Sequence, residues 1–132
     1  MIKNILIVIL FLSLLSCNST DKVRILKVNK VVYTGSQTDP LAKACSDWKL
    51  SLKDVEIIFM LSQEVQKEQL HRHFYHLSCE ITGEALLNKK PISFVINAAS
   101  HMRINTGDTS FYKGCNTKKC KPLFLMAPED QS

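Results

Sequence analysis

Apolar and polar residues alternate along the second half of the chain, as they do in strands that bury one face. Between residues 79 and 87 the apolar positions alternate with Glu80, Thr82 and Glu84. After turn signals, of which Asn88-Lys89-Lys90-Pro91 is the clearest, the alternation continues in shorter segments at 92–96, 102–104 and 111–112. Strands joined by short turns pair antiparallel. The pattern therefore predicts an antiparallel β-meander in this half of the chain.

The residues directly after residue 50 have a helical period instead of this alternation. Ser51 is a favourable N-cap residue, and Asp54 places an acid in the first turn. The apolar residues that follow at helical spacing are Val55, Ile58 and Phe59. Since Ile57, Met60 and Leu61 are apolar too, we expect this helix to be buried on more than one side.

A more polar stretch begins at Gln63, and it predicts either a continued helix or one that restarts after a kink. Its apolar stripe is Leu70, Phe74 and Leu77. Upstream, residues 23–34 are rich in Val and Ile and predict a first strand, and residues 35–40 predict a loop. Residues 41–50 are ambiguous, with Trp48 expected in the core. Together these elements predict an α+β fold, with one or two helices packed on a four- or five-stranded antiparallel sheet.

The start of the chain has a different pattern. Residues 5–15 are apolar except for Ser13, and Lys3 precedes them. As a helix, this run would extend about 16 Å, roughly half of the ~30 Å hydrocarbon core of a bilayer. A positive charge followed by a short apolar run is typical of a signal peptide and not of a membrane-spanning helix.

The apolar run ends in Leu14-Leu15-Ser16-Cys17, which resembles the lipobox of bacterial lipoproteins. The resemblance implies cleavage between Ser16 and Cys17, diacylglycerol on the Cys17 sulfur and acylation of the new amino terminus. It divides the chain into a signal peptide (1–16), a lipidated cysteine with a polar tether (17–22) and a single periplasmic domain (23–132). Asn18 directly after the cysteine implies the outer membrane.

Four further cysteines follow Cys17, at 45, 79, 115 and 120. An even number in a small exported domain predicts two disulfides, for which three connectivities exist. Cys115–Cys120 closes a short loop and leaves Cys45–Cys79 as the second pair. The alternative is a four-cysteine zinc site. It fits poorly because Cys45 and Cys79 lack the paired short spacing of zinc ribbons.

The formal net charge of +5 is compatible with anionic headgroups or an acidic protein partner. Lys118, Lys119 and Lys121 surround Cys120; we interpret them as a solvated basic tail, with contact to an anionic leaflet as the alternative. A nucleic-acid-binding protein would carry a basic stripe interleaved with aromatic residues. The sequence has none, so we predict no nucleic-acid partner.

The segment His71-Arg72-His73-Phe74-Tyr75-His76 is the one candidate for metal chemistry. On a helix, His73 and His76 would lie about 60° apart, and His71 would point nearly opposite His76. His73 and His76 are therefore the candidate metal ligands, although the segment lacks the H-E-x-x-H pattern of metalloproteases. The alternative, which we favour, places these histidines beside the apolar stripe at the edge of the domain.

No hydrolase, P-loop or dinucleotide motif occurs in the sequence. Glu80 and Glu84 could share one strand face, but two glutamates on a solvated face are common. We therefore predict no catalytic residue and no cofactor. The expected function is a lipid-anchored, non-catalytic protein-binding module of the envelope, of which an immunity-type lipoprotein is one version by analogy. The alternatives are an accessory subunit of an envelope complex, or a metal-binding or hydrolytic periplasmic protein that uses residues 71–76.

Overall fold

Seven strands form one antiparallel sheet in the computed structural model, which describes residues 21–129. The strands are β1 (Val23–Val28), β2 (Val32–Tyr33), β3 (Gln63–Val65), β4 (Cys79–Leu87), β5 (Lys90–Asn97), β6 (His101–Asn105) and β7 (Ser110–Gly114). Their spatial order is β1-β4-β5-β6-β7-β3, and β2 also pairs with β4. The predicted meander is therefore the centre of the sheet, from β4 to β7.

Three α-helices and one 3₁₀ helix accompany the sheet in this part of the chain. They are α1 (Ala42–Asp47), α2 (Leu52–Leu61), α3 (Lys67–His73) and the 3₁₀ helix Lys118–Leu123. The start of α2 is as predicted, because the Ser51 hydroxyl accepts a hydrogen bond from the Asp54 amide (3.0 Å) and the Asp54 carboxylate accepts one from the Ser51 amide (2.9 Å). Such a reciprocal capping box satisfies two amides that the first turn leaves without partners.

One side of α2 packs on the core face of the sheet. Val55, Ile58 and Phe59 are buried, and the Phe59 ring meets Phe94 of β5 edge-on at 5.5 Å between centroids. The expectation that α2 is buried on more than one side is wrong, since the Met60 side chain is 74% exposed. Trp48 is in the core as predicted, and its indole N–H donates to the Leu123 carbonyl (2.9 Å).

The α+β class is confirmed, while the strands and the helices are more numerous than expected. The region expected to be one strand, 23–34, forms two short strands that both pair with β4. The stretch after Gln63 forms β3, which pairs with β7, before α3 begins. This pairing joins Gln63 to Gly114, far apart in sequence, so local propensity gives no sign of it.

The predicted stripe of Leu70, Phe74 and Leu77 along one helix is wrong. Helix α3 ends at His73, and Phe74 has an extended backbone with φ −116° and ψ 139°. The Phe74 ring instead lies over Gly114, on the face of the sheet opposite to the core, and meets the His101 ring at 6.0 Å. Phe74 therefore packs on this second face, which we call the outer face, directly after the helix ends.

Both predicted disulfides are present. Cys45–Cys79 joins α1 to the first residue of β4 with Cα atoms 5.5 Å apart, and Cys115–Cys120 joins the end of β7 to the 3₁₀ helix at 5.9 Å. Within residues 21–129, no helix is both long and apolar enough to cross a bilayer. The predicted signal peptide and the lipobox lie outside the described residues.

Candidate functional site

A cavity of about 210 Å³ on the outer face gathers three of the ionisable side chains that the sequence marked as candidates, His71, His76 and Glu80. We call it the histidine cavity. It is lined by residues from α3, the segment after it and strands β4 to β7: Lys67, Leu70, His71, His76, Glu80, Val95, Asn97, His101, Arg103 and Tyr112.

Asn97 at the end of β5 holds the segment after α3 against the sheet. Its Oδ1 accepts from the amides of Leu77 (3.1 Å) and Ala99 (3.0 Å), and its Nδ2 donates to the Leu77 carbonyl (2.8 Å). Nδ2 also lies 3.4 Å from Nδ1 of His76. A buried amide with these partners costs little to desolvate, and it fixes the position of His76 at the cavity.

His101 forms the floor of the cavity and is only 8% exposed. Burial lowers its pKa to about 4, against the opposing effect of the hydrogen bond to Tyr75, while His76 and His71 add small lowering contributions. The ring is therefore neutral at neutral pH, and its Nε2–H donates to the Tyr75 carbonyl (2.9 Å). His76 lies beside it, with ring centroids 5.8 Å apart.

The charged side chains at the cavity are not paired with one another. In residues 21–129 the one ion pair is Lys43–Asp47, so neither Lys67 nor Arg103 is within ion-pair distance of Glu80. Among the residues that the structure describes, the Glu80 carboxylate accepts only a long hydrogen bond from Asn97 (3.5 Å). Lys67, Arg103 and one carboxylate thus line the cavity, and neither basic side chain has a counter-ion in the described residues.

The structure brings together only some of the predicted site residues. His71 and His76 line the histidine cavity, whereas His73 lines a separate cavity beside Phe74 and Gly114. The prediction that His73 and His76 lie near each other on a helix is wrong, because α3 ends between them. Among the residues described, no group of three or more His, Cys, Asp or Glu side chains is arranged to hold a metal ion.

Glu80 and Glu84 share a strand face as expected, but only Glu80 lines the histidine cavity. Sequence reasoning missed the four residues that complete the cavity: Lys67, Asn97, Arg103 and Tyr112. The one available signal is the alternation in β6, in which His101 and Arg103 alternate with Met102 and Ile104 and so lie on the opposite face. The other three come from separate elements, and nothing local joins them.

No protein-family model, no curated protein and no solved structure matches this chain. Its function is therefore inferred from the geometry of the site itself.

Proposed function

We propose that this chain is a lipid-anchored protein of the cell envelope whose domain is a non-catalytic protein-binding module. The histidine cavity receives an acidic side chain of the partner protein. The observation that carries this proposal is the pair of cations Lys67 and Arg103, which line the cavity without a counter-ion in residues 21–129. The anchor is the lipid on Cys17, which the lipobox resemblance implies.

The residue types at the cavity suit a carboxylate. The Arg103 guanidinium has the planar geometry that binds a carboxylate through two hydrogen bonds. Tyr112 is half-buried beside it, and tyrosine and arginine are enriched among the residues that contribute most to protein interfaces. Glu80 opposes the binding of a further acid, but it is a single carboxylate against two cations.

The rigidity of the backbone around the site favours binding as well. The Cys45–Cys79 disulfide fixes the start of β4, next to Glu80, and Asn97 holds the segment that carries His76. A site that is ordered before the partner arrives loses less conformational entropy on binding. Two disulfides also suit the oxidising periplasm that the signal peptide implies.

The proposal is tested with the mature lipidated protein, isolated in mild detergent after cross-linking in intact cells. We expect a partner to co-purify with the wild type, and its yield to fall roughly tenfold or more in the K67Q/R103Q variant, because charged hydrogen bonds are lost. The K118Q/K119Q variant removes the same charge elsewhere and is expected to retain the partner. Equal yields in all three proteins, or no partner in any, would contradict the proposal.

The same experiment separates the alternative of an accessory subunit. Within residues 21–129, six large apolar side chains are exposed, and they come from separate strands, helices and loops: Leu26, Val32, Leu52, Met60, Tyr75 and Leu125. An accessory subunit would bury a contiguous apolar surface against several subunits. A complex of several envelope proteins that survives the K67Q/R103Q substitutions would favour that function over a single acidic partner.

A further inference from the structure

The side chain and backbone of Asn88 tie the start of the domain to the β4–β5 turn. The Asn88 amide donates to the Lys22 carbonyl (2.8 Å), and the Lys22 amide donates to Asn88 Oδ1 (2.9 Å). The Asn88 Nδ2 donates to the Asp21 carboxylate (3.0 Å). Asn88 and Lys89 have positive φ values of 51° and 68°, as in the two-residue turns of β-hairpins. The chain therefore enters the domain directly beside this turn.

The lipid would be attached close to the same point. Cys17 precedes Asp21 by four residues, and a fully extended chain of that length reaches about 14 Å. A bilayer that holds the lipid on Cys17 must therefore lie within this distance of Asp21. Attraction between charges persists over about 8–10 Å at physiological ionic strength.

Cations outnumber acids at this end of the sheet. Lys22, Lys89 and Lys90 are exposed, and none has an ion-pair partner within residues 21–129. We call these three residues the basic end. Other charged residues near this end are Arg24, Asp21 and Asp108, together with Glu56 and Lys113, which line one cavity with Asp21. Asp21 already accepts a hydrogen bond from Asn88. The excess of basic over acidic side chains at this end favours contact with an anionic surface.

We propose that the basic end contacts anionic lipid headgroups of the membrane that holds the anchor. This inference rests on the lipid anchor of the proposed function. Each lysine close to an anionic bilayer strengthens the contact about fivefold. The lipid supplies attachment, and the three lysines orient the domain with the β4–β5 turn towards the bilayer.

The second basic cluster of the chain lies at the opposite end. Lys118, Lys119 and Lys121 belong to the 3₁₀ helix. Two residues after this helix ends, the Leu125 amide donates to the Ala98 carbonyl (3.0 Å) at the β5–β6 turn. The eight residues of β5 separate this turn from the β4–β5 turn by about 25 Å. These lysines match the basic end in number and charge, and so they are an internal control.

The experiment uses the mature lipidated protein in phosphatidylcholine vesicles with or without phosphatidylglycerol. A membrane-impermeant amine-acylating reagent labels exposed lysines, and mass spectrometry gives the rate at each one. We expect phosphatidylglycerol to slow labelling of the basic end at least fivefold relative to the three control lysines, and high salt to abolish the difference. Because the ratio compares lysines of the same molecule, it does not depend on the fraction of molecules that face the vesicle interior and are protected from the reagent.

Two variants complete the test. Replacement of Lys22 and Lys89 by glutamine is expected to remove the slowing at the remaining Lys90, whereas the K118Q/K119Q variant leaves it intact. Unchanged labelling of the basic end, or slowing at the control lysines instead, would overturn the proposal. The intact mass of the protein, which shows whether lipid is attached, distinguishes failure of the membrane contact from failure of the anchor. A lipidated chain without slowing overturns the membrane contact alone, while a chain without lipid on Cys17 overturns both the anchor and the contact.

Discussion

Within residues 21–129, His101 is the ionisable side chain for which burial produces a large shift in pKa. It is 8% exposed, and its neutral ring donates to the Tyr75 carbonyl while packing against Phe74 and His76. Protonation would place a positive charge beside these groups with little access to water. Burial therefore favours the neutral ring in the folded protein, although the hydrogen bond to Tyr75 can be made in either protonation state.

This environment makes the stability of the protein depend on pH. The pKa of His101 is lowered from 6.5 to about 4 in the folded protein, so the unfolded chain binds the proton more readily between these values. Stability is then full above pH 6.5 and falls, by up to about 3 kcal/mol, as the pH decreases towards 4. Urea unfolding of the wild type and of H101Q across this range measures the effect. The variant retains a hydrogen-bond donor, and an equally steep dependence in it would rule out His101 as the cause.

The Phe74 ring lies so close to Gly114 that it fills the space where a Cβ atom would be, and so this position requires glycine. We expect G114A to destabilise the protein by about 1–3 kcal/mol, because the added methyl group displaces the ring. Urea unfolding measures the loss. Replacement of Phe74 by leucine should cost less in the G114A background than in the wild type. Additive losses would show that Phe74 is not the group displaced.

At the scale of elements, the two disulfides constrain the chain to different extents. Cys45–Cys79 closes a loop with a sequence separation of 34, and Cys115–Cys120 one with a separation of 5. On the loop-entropy model, replacing the first pair by alanine costs about 4 kcal/mol and replacing the second about 2 kcal/mol. Urea unfolding of the two double variants compares them. Equal losses would indicate that native-state contacts, and not loop closure, dominate.

At the scale of the whole molecule, the two proposed surfaces lie towards opposite ends of β5. The basic end is next to Lys90, where β5 begins, and the histidine cavity includes Asn97, where it ends. If the basic end lies on the bilayer, the cavity is held away from the membrane surface and remains open to a partner. Substitutions at either surface are therefore expected to act independently, since distant sites without shared contacts are additive.

The sequence alone was sufficient for the elements that depend on neighbouring residues. The N-cap at Ser51, the apolar period of α2 and the alternation from β4 to β7 all operate within a few residues, and each prediction is confirmed. The two disulfides followed from counting and spacing. The lipobox and signal peptide are equally local patterns, and they stay predictions because they lie outside the described residues.

Only the tertiary structure decided which distant residues meet. The pairing of β3 with β7, the end of α3 at His73 and the gathering of His71, His76 and His101 in one cavity depend on contacts across the whole sheet. The two lysine clusters show the same limit, since their charge is visible in the sequence but the end of the sheet at which each cluster lies is not. Local periodicity sets which face of an element is buried, whereas the free energy of packing the complete sheet sets what lies against that face.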